Sequence, residues 1–427
     1  INMPKKTKKG KKGKKVVLAG PQPVTTVQII QDRTKMLCPR LGDIYTRSLH
    51  VEGILEDVVD NYVTKAVEKQ SDSLVLTSMK MKRLPNISVQ LSQLQCLTNL
   101  NLSKNSLFNG DELFQALSLL ENLTQLNLSE NFLNGPLSEH AGKLTQLQVL
   151  NMDINNVTML CPDVRNWNHL KIFTISDNSL SGLPAEAAAW TALEVLNLKN
   201  NKVLDVGSLP QYWTDLARLY LGSNLLTSIP FELGSCTKLK EADFSCNAIQ
   251  TLPLSLANCT SLERLHLGSN KIEHLPPEIF TPLALLRELH LYKNKIQVVP
   301  PEIGNLIAIQ KLSLASNNLR GLPDEIAACT TLEELYLSNN AKFSYFPGSA
   351  GHLRKLKELS LSKCPALKQL PNTASELVSL RELDLRAAKK QVCKITPELV
   401  AALKERFCKV RGGVVKKAKG GGKKKAA

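Results

Sequence analysis

The sequence predicts an α/β solenoid, with a long parallel sheet on its concave face and helical caps at both ends. Three observations predict it. One pattern, L-x-x-L-x-L-x-x-N-x-L, recurs along the chain, as in LARLYLGSNLL from Leu216, LERLHLGSNKI from Leu262 and LRELHLYKNKI from Leu286. Its second leucine-type position falls at Leu74, Leu100, Leu126, Leu150, Phe173, Leu196, Leu219, Ala242, Leu265, Leu289, Leu312, Leu335, Leu359 and Leu383, in steps of 23 to 26 residues. Each unit is too small to bury an apolar face alone, so neighbours must stack. The third observation is that the strong positive charge is confined to the two ends.

That charge is a formal +16 from 54 basic and 38 acidic residues. The first fifteen residues hold Lys5, Lys6, Lys8, Lys9, Lys11, Lys12, Lys14 and Lys15 and no acid. The last nineteen hold Lys409, Arg411, Lys416, Lys417, Lys419, Lys423, Lys424 and Lys425, again with no acid. Residues 16–408 are therefore formally neutral, and the basic balance belongs to two tails. Residues 1–23 and 409–427 are expected to be disordered basic tails, since lysine and glycine without aromatic residues cannot build a core. Ile1-Asn2 ahead of Met3 reads as an upstream extension.

Residues 24–70 should form a helical N-terminal cap. A weaker helix is expected within 24–37. From Val51, apolar residues at Val51, Ile54, Leu55, Val58, Val59, Tyr62, Val63, Ala66 and Val67 follow i, i+3, i+4 spacing, which predicts an amphipathic helix over the first strand edge. Residues 71–388 carry about fourteen repeats. The L-x-L core of each is a short strand, its flanking residues facing out and its leucines in. The asparagine that follows, Asn105 through Asn340 in eleven units, should bond backbone groups left unpaired as the chain turns away. Met79, Cys364 and Ala388 replace it in the terminal units. An apolar-Pro pair such as Ile229-Pro230 or Leu322-Pro323 then suits an outer turn, because proline fixes φ and lacks a donor. The first five units depart from this form: the stretch 109–120 is long and helix-like. Residues 389–408 close the solenoid with a helix capped by Thr396, with Pro397 at its first position and Leu399, Val400, Leu403 and Phe407 on its buried face.

On these motifs the chain resembles the leucine-rich repeat proteins, in the 23-residue, Leu-Pro-containing form of the intracellular Ras-group type. The resemblance covers about residues 71–388. It implies a horseshoe fold and a binding role, and it raises the prospect of a signalling adaptor for a small GTPase or phosphatase.

Trp167, Trp190 and Trp213 are 23 residues apart and could suggest a stacking platform for bases. Their column elsewhere holds leucines and Cys236, Cys259 and Cys329, so buried packing is the reading adopted. The ten cysteines have no C-x-x-C and no disulfide framework, and no metal-ligand spacing or catalytic triad stands out, so neither an enzyme, a metal nor a cofactor is expected. No apolar run reaches transmembrane length. A reduced cytoplasmic setting is expected, with nucleus, cytoskeleton or cilium as further locations.

The outward strand positions of the units marked by Leu219 through Leu335 are the candidate protein-binding surface: Arg218, Tyr220, Asp243, Arg264, His266, His290, Tyr292 and Tyr336. Arginine and aromatic side chains are the usual anchors of interfaces. The early units offer smaller polar residues there, such as Asn101, Gln125 and Asn127. The tail lysines cannot read base edges, so they suit non-specific docking on an anionic assembly, either RNA or acidic tubulin tails, with an anionic membrane surface as a lesser option. A scaffold with a protein partner is the principal reading. An RNA- or ribosome-associated protein whose tails carry the affinity is the alternative.

Overall fold

The computed structural model describes residues 55–84, 93–386 and 393–415. All lie in one compact unit, Val51–Ala427. The helix expected within 24–37 and the lysines at Lys5–Lys15 and Lys416–Lys425 fall outside the described residues.

The described chain is built on one fifteen-stranded parallel sheet in which every neighbour is the next repeat. Its strands are β1 (Ser73–Val75), β2 (Asn99–Asn101), β3 (Gln125–Asn127), β4 (Val149–Asn151), β5 (Ile172–Thr174), β6 (Val195–Asn197), β7 (Arg218–Tyr220) and β8 (Glu241–Asp243). They continue through β9 (Arg264–His266), β10 (Glu288–His290), β11 (Lys311–Ser313), β12 (Glu334–Tyr336), β13 (Glu358–Ser360), β14 (Glu382–Leu385) and β15 (Lys409–Gly412). All fourteen marker residues sit at strand centres and pair in register, from Leu74 opposite Leu100 to Leu359 opposite Leu383. The fifteenth strand was not expected. Lys409–Gly412 pairs with β14, with Val410 opposite Leu383, and Val414–Val415 pairs with Lys394–Ile395. The sheet thus runs on into residues assigned from sequence to a disordered tail, and Arg411 bonds Glu382 at 2.8 Å.

The asparagine ladder works as the strand geometry requires. In each of the eleven units, Nδ2 donates to a carbonyl of its own turn and to one of the preceding unit, while Oδ1 accepts a backbone N–H from that preceding unit. For Asn247 these partners are Phe244 O at 3.0 Å, Leu221 O at 3.0 Å and Leu226 N at 3.0 Å. Cys364 substitutes by donating Sγ–H to Leu337 O at 3.3 Å. The residue before each asparagine adopts a left-handed conformation although none is glycine, as at Lys104, Ile154 and Ser223 with φ of 58°, 56° and 56°. Ladder bonds compensate that strain: the N–H of Ser223 reaches Ser245 O in the next unit at 2.7 Å.

Opposite the sheet lie short 3₁₀ turns. Each regular one follows the proline of the apolar-Pro pair, whose fixed φ starts the turn and whose carbonyl accepts the closing bond, as in Leu233 N to Pro230 O at 3.2 Å. The early units are irregular here, as expected. Helix α2 (Gly110–Leu117) replaces a turn, capped by Asn109, with Leu113, Phe114 and Leu117 buried. Asn134–Pro136 and Asn156–Met159 form a small second sheet.

The ends are helical. Helix α1 (Leu55–Glu68) buries Val59, Val63 and Ala66 against the first repeat. Helix α3 (Pro397–Glu405) starts at Thr396, whose hydroxyl accepts from Leu399 N at 3.3 Å, and buries Leu399 and Leu403. Phe407 is a correction. It was assigned to the buried face, but the helix ends before it, its φ is 54°, and the ring is 95% exposed.

The three tryptophans are fully buried. Each Nε1 donates to a carbonyl of the preceding unit: Trp167 to Ala141, Trp190 to Val164 and Trp213 to Ala187, at 3.0, 2.9 and 3.1 Å. The cysteines of the column donate in the same way, Cys236 to Pro210 O and Cys329 to Ile303 O, both at 3.3 Å. Burial pushes the thiols of Cys236, Cys259 and Cys329 up to about 12, so they stay protonated and able to donate.

Candidate binding face of the sheet

Because each strand is an x-L-x triplet, its first and third residues share the open face. Parallel register then aligns those residues into two rows across the sheet. From β7 to β12 the first row reads Arg218, Glu241, Arg264, Glu288, Lys311, Glu334, with alternating charge. Arg264 bonds Glu241 at 3.0 Å and Lys311 bonds Glu334 at 2.6 Å. The row is internally neutralised, so it presents no net charge to a polyanion.

The second row reads Tyr220, Asp243, His266, His290, Ser313, Tyr336. Register brings Tyr220, Asp243, His266 and His290 onto consecutive strands. Ser313 separates Tyr336 from them, and Tyr336 instead donates to Glu358 at 2.7 Å and Glu334 at 2.9 Å. Burial and these two carboxylates push its phenol pKa up, so it remains a neutral donor. Tyr292 follows β10, and its ring lies over Gly268, where a Cβ would come within 2.4 Å of it.

Two residues taken from sequence as outward contacts are mostly enclosed. Tyr220 is 9% exposed and Asp243 is 7% exposed. Asp243 is occupied by its own turn, accepting from Ser245 N at 2.9 Å and Ser245 Oγ at 2.6 Å, with Lys199 Nζ at 3.5 Å. Asn101, Asn127 and Asn151 hold the same position in earlier units and accept from the backbone N–H two residues on. The column ends the strand, which is why short amide and carboxylate side chains recur in it.

At the centre of the second row lies a grouping that sequence reading missed. The rings of His266 and His290 meet edge to face with centroids 4.5 Å apart. Glu288, two residues before His290 on the same face, places Oε2 3.5 Å from His290 Nε2. That hydrogen bond holds the Glu288 carboxyl below its ordinary range. Burial, then the neighbouring His290, lowers the His266 pKa, and Nε2 of His266 is buried with no hydrogen-bond partner among the described residues. One ligand atom from each of the three side chains lies within 4.8 Å of the others. No local spacing announces this set, because two of its members are 24 residues apart in chain. Histidine in one column of two adjacent repeats was legible in the sequence; that Glu288 joins the pair as a third ligand-type group was not.

Residues 244–411 match the family described as "Leucine-rich repeat region", and residues 214–272 match "Leucine rich repeat". No curated protein matches the chain. Among solved structures, a leucine-rich repeat protein of Leptospira interrogans is similar at 27% identity, covering 81% of this chain and 97% of its own, with a TM-score of 0.64. An internalin from Listeria monocytogenes is similar at 24% identity, covering 77% and 93%, with a TM-score of 0.64. A TDR receptor is similar at 26% identity, covering 79% of this chain and 62% of its own, with a TM-score of 0.64. The fold is thus a leucine-rich repeat solenoid, a fold that binding scaffolds and receptors share. No helix of the described residues is long and apolar enough to cross a membrane.

Proposed function

We propose that this leucine-rich repeat solenoid is a non-catalytic scaffold that captures a protein partner on the face formed by β7–β12, while its lysine-rich ends tether it to an anionic assembly. One observation carries the reading: a self-neutralised charge row runs beside a row of tyrosine and imidazole side chains, in register. The partly exposed members of the latter row, His266, His290 and Tyr336, offer aromatic contact area beside a charge row that cancels, which suits a folded protein better than a nucleic-acid backbone. The lysine ends supply the complementary, non-specific attraction. An intracellular setting of the Ras-group type fits the free cysteines among the described residues, since disulfides are scarce in reducing compartments.

Affinity capture with intact protein and single variants tests this. Tyr336→Ala or Arg264→Ala should weaken the captured partner by more than about 1 kcal/mol, while Gln125→Ala on β3 should not. Equal losses at both places would move the interface off β7–β12. Loss of all partners on removing the lysine ends alone would favour the RNA-associated reading instead.

A further inference from the structure

We propose that His266, Glu288 and His290 form a binding site for a divalent transition metal, zinc above all. The three side chains project from neighbouring strands of one rigid sheet, with His266 and His290 in register. Their ligand atoms lie within 4.8 Å of one another, and His290 Nε2 and Glu288 Oε2 are already 3.5 Å apart. Two ligands at about 2.0–2.1 Å in a tetrahedral site stand roughly 3.4 Å apart, so that pair is at ligand spacing. The remaining closure needs only terminal torsions of His and Glu, which are broad and soft.

The unpartnered, buried Nε2 of His266 is an independent sign. A polar atom in that state ordinarily finds a donor, an acceptor or an ion. Charge agrees with the geometry. Asp243, Glu241 and Glu288 all lie near His266, and of the cations in the adjoining row Arg264 is bound to Glu241 at 3.0 Å and Lys311 to Glu334 at 2.6 Å. Two imidazoles and one carboxylate are a donor set that suits zinc, with a water completing four-coordination. The site does not depend on the partner reading above. The ions Mg²⁺ and Ca²⁺, which prefer all-oxygen cages, should not compete.

The test is calorimetric titration of the full chain, stripped with a chelator, against zinc chloride. Cobalt(II) is then used as a visible probe of four-coordinate geometry. The expected result is one equivalent of zinc per chain and a tetrahedral cobalt spectrum. His266→Ala and His290→Ala should each weaken zinc by more than about tenfold, since even loss of a supporting partner costs 10–100-fold. Glu288→Gln should weaken it less than either, and His352→Ala, a distant exposed histidine, should leave it unchanged. Thermal unfolding guards against misfolded variants: zinc should raise the Tm of the parent chain and not that of the histidine variants. Absence of stoichiometric zinc binding overturns the site. So does binding that the His266 and His290 substitutions leave intact.

Discussion

Trp190 stacks on Trp167 with ring centroids 6.1 Å apart and planes 20° from parallel, and its Nε1 donates to Val164 O at 2.9 Å. Trp190→Leu should therefore cost roughly 2–4 kcal/mol, even though leucine fills this column elsewhere. The smaller side chain leaves a cavity and removes the bond to Val164. Trp190→Phe should cost less, because it keeps most of the volume. Urea denaturation of both variants separates packing from hydrogen bonding.

Asn247→Ala should destabilise the solenoid by about 1–3 kcal/mol, because it strands Leu226 N and removes one of the two amide bonds to each of Leu221 O and Phe244 O, which keep Asn224 and Asn270. The loss should appear as a lower denaturation midpoint. An unchanged midpoint would mean that these backbone groups find other partners.

Asp153 gives stability a pH dependence. It is 3% exposed, and burial raises its pKa from 3.8 to about 6, against a hydrogen bond from Ser176 N at 2.6 Å. The folded chain thus holds this proton more tightly than the unfolded chain. Its contribution is fully present below the unfolded pKa and is lost as pH rises through about 6. Asp153→Asn keeps an acceptor without the charge. It should stabilise the protein by about 1–3 kcal/mol at pH values near 8 and change little near pH 4. Melting curves across that range read the difference directly.

Nucleic-acid binding through the ends should be non-specific and salt-sensitive. Full engagement of the eight lysines between Lys5 and Lys15 on duplex DNA gives a log–log salt slope near −7, and partial engagement about −3 to −6. Removing residues 1–15 and 416–427 should abolish it, since the charge row on β7–β12 is self-neutralised. Salt-insensitive binding by the trimmed chain would transfer nucleic-acid recognition to the solenoid.

The repeat made most of the solenoid legible, because each strand centre must be apolar and each turn must satisfy the same backbone groups. Leu74 through Leu383 could be aligned without coordinates for that reason. The last strand escaped notice: Lys409–Gly412 lacks the leucines and owes its place to pairing with β14, a non-local term. Phe407 fitted a helical period but lies past the point where the helix stops. The candidate face was readable as positions, not as contacts. Alternation shows that Tyr220 and Asp243 leave the core, but not that Asp243 folds back onto Ser245 or that both side chains are mostly enclosed. The hydrogen bonds of Trp167, Trp190 and Trp213 were likewise hidden, since hydropathy registers a tryptophan as volume.

The terminal strand also bears on what stops the structure from growing. A stack of identical units has no natural end, and an open strand edge invites another molecule to continue it. Among the described residues, β15 is the last member of the sheet. It carries Lys409 and Arg411 and runs into Gly412 and Gly413, with φ of 80° and 83°. The exposed Lys409 and a left-handed bend make a poor template for a sixteenth strand from another copy, whereas Arg411 is taken up by Glu382. The same segment that extends the sheet should therefore discourage end-to-end polymerisation, and replacing Lys409 with threonine should favour filaments visible by light scattering.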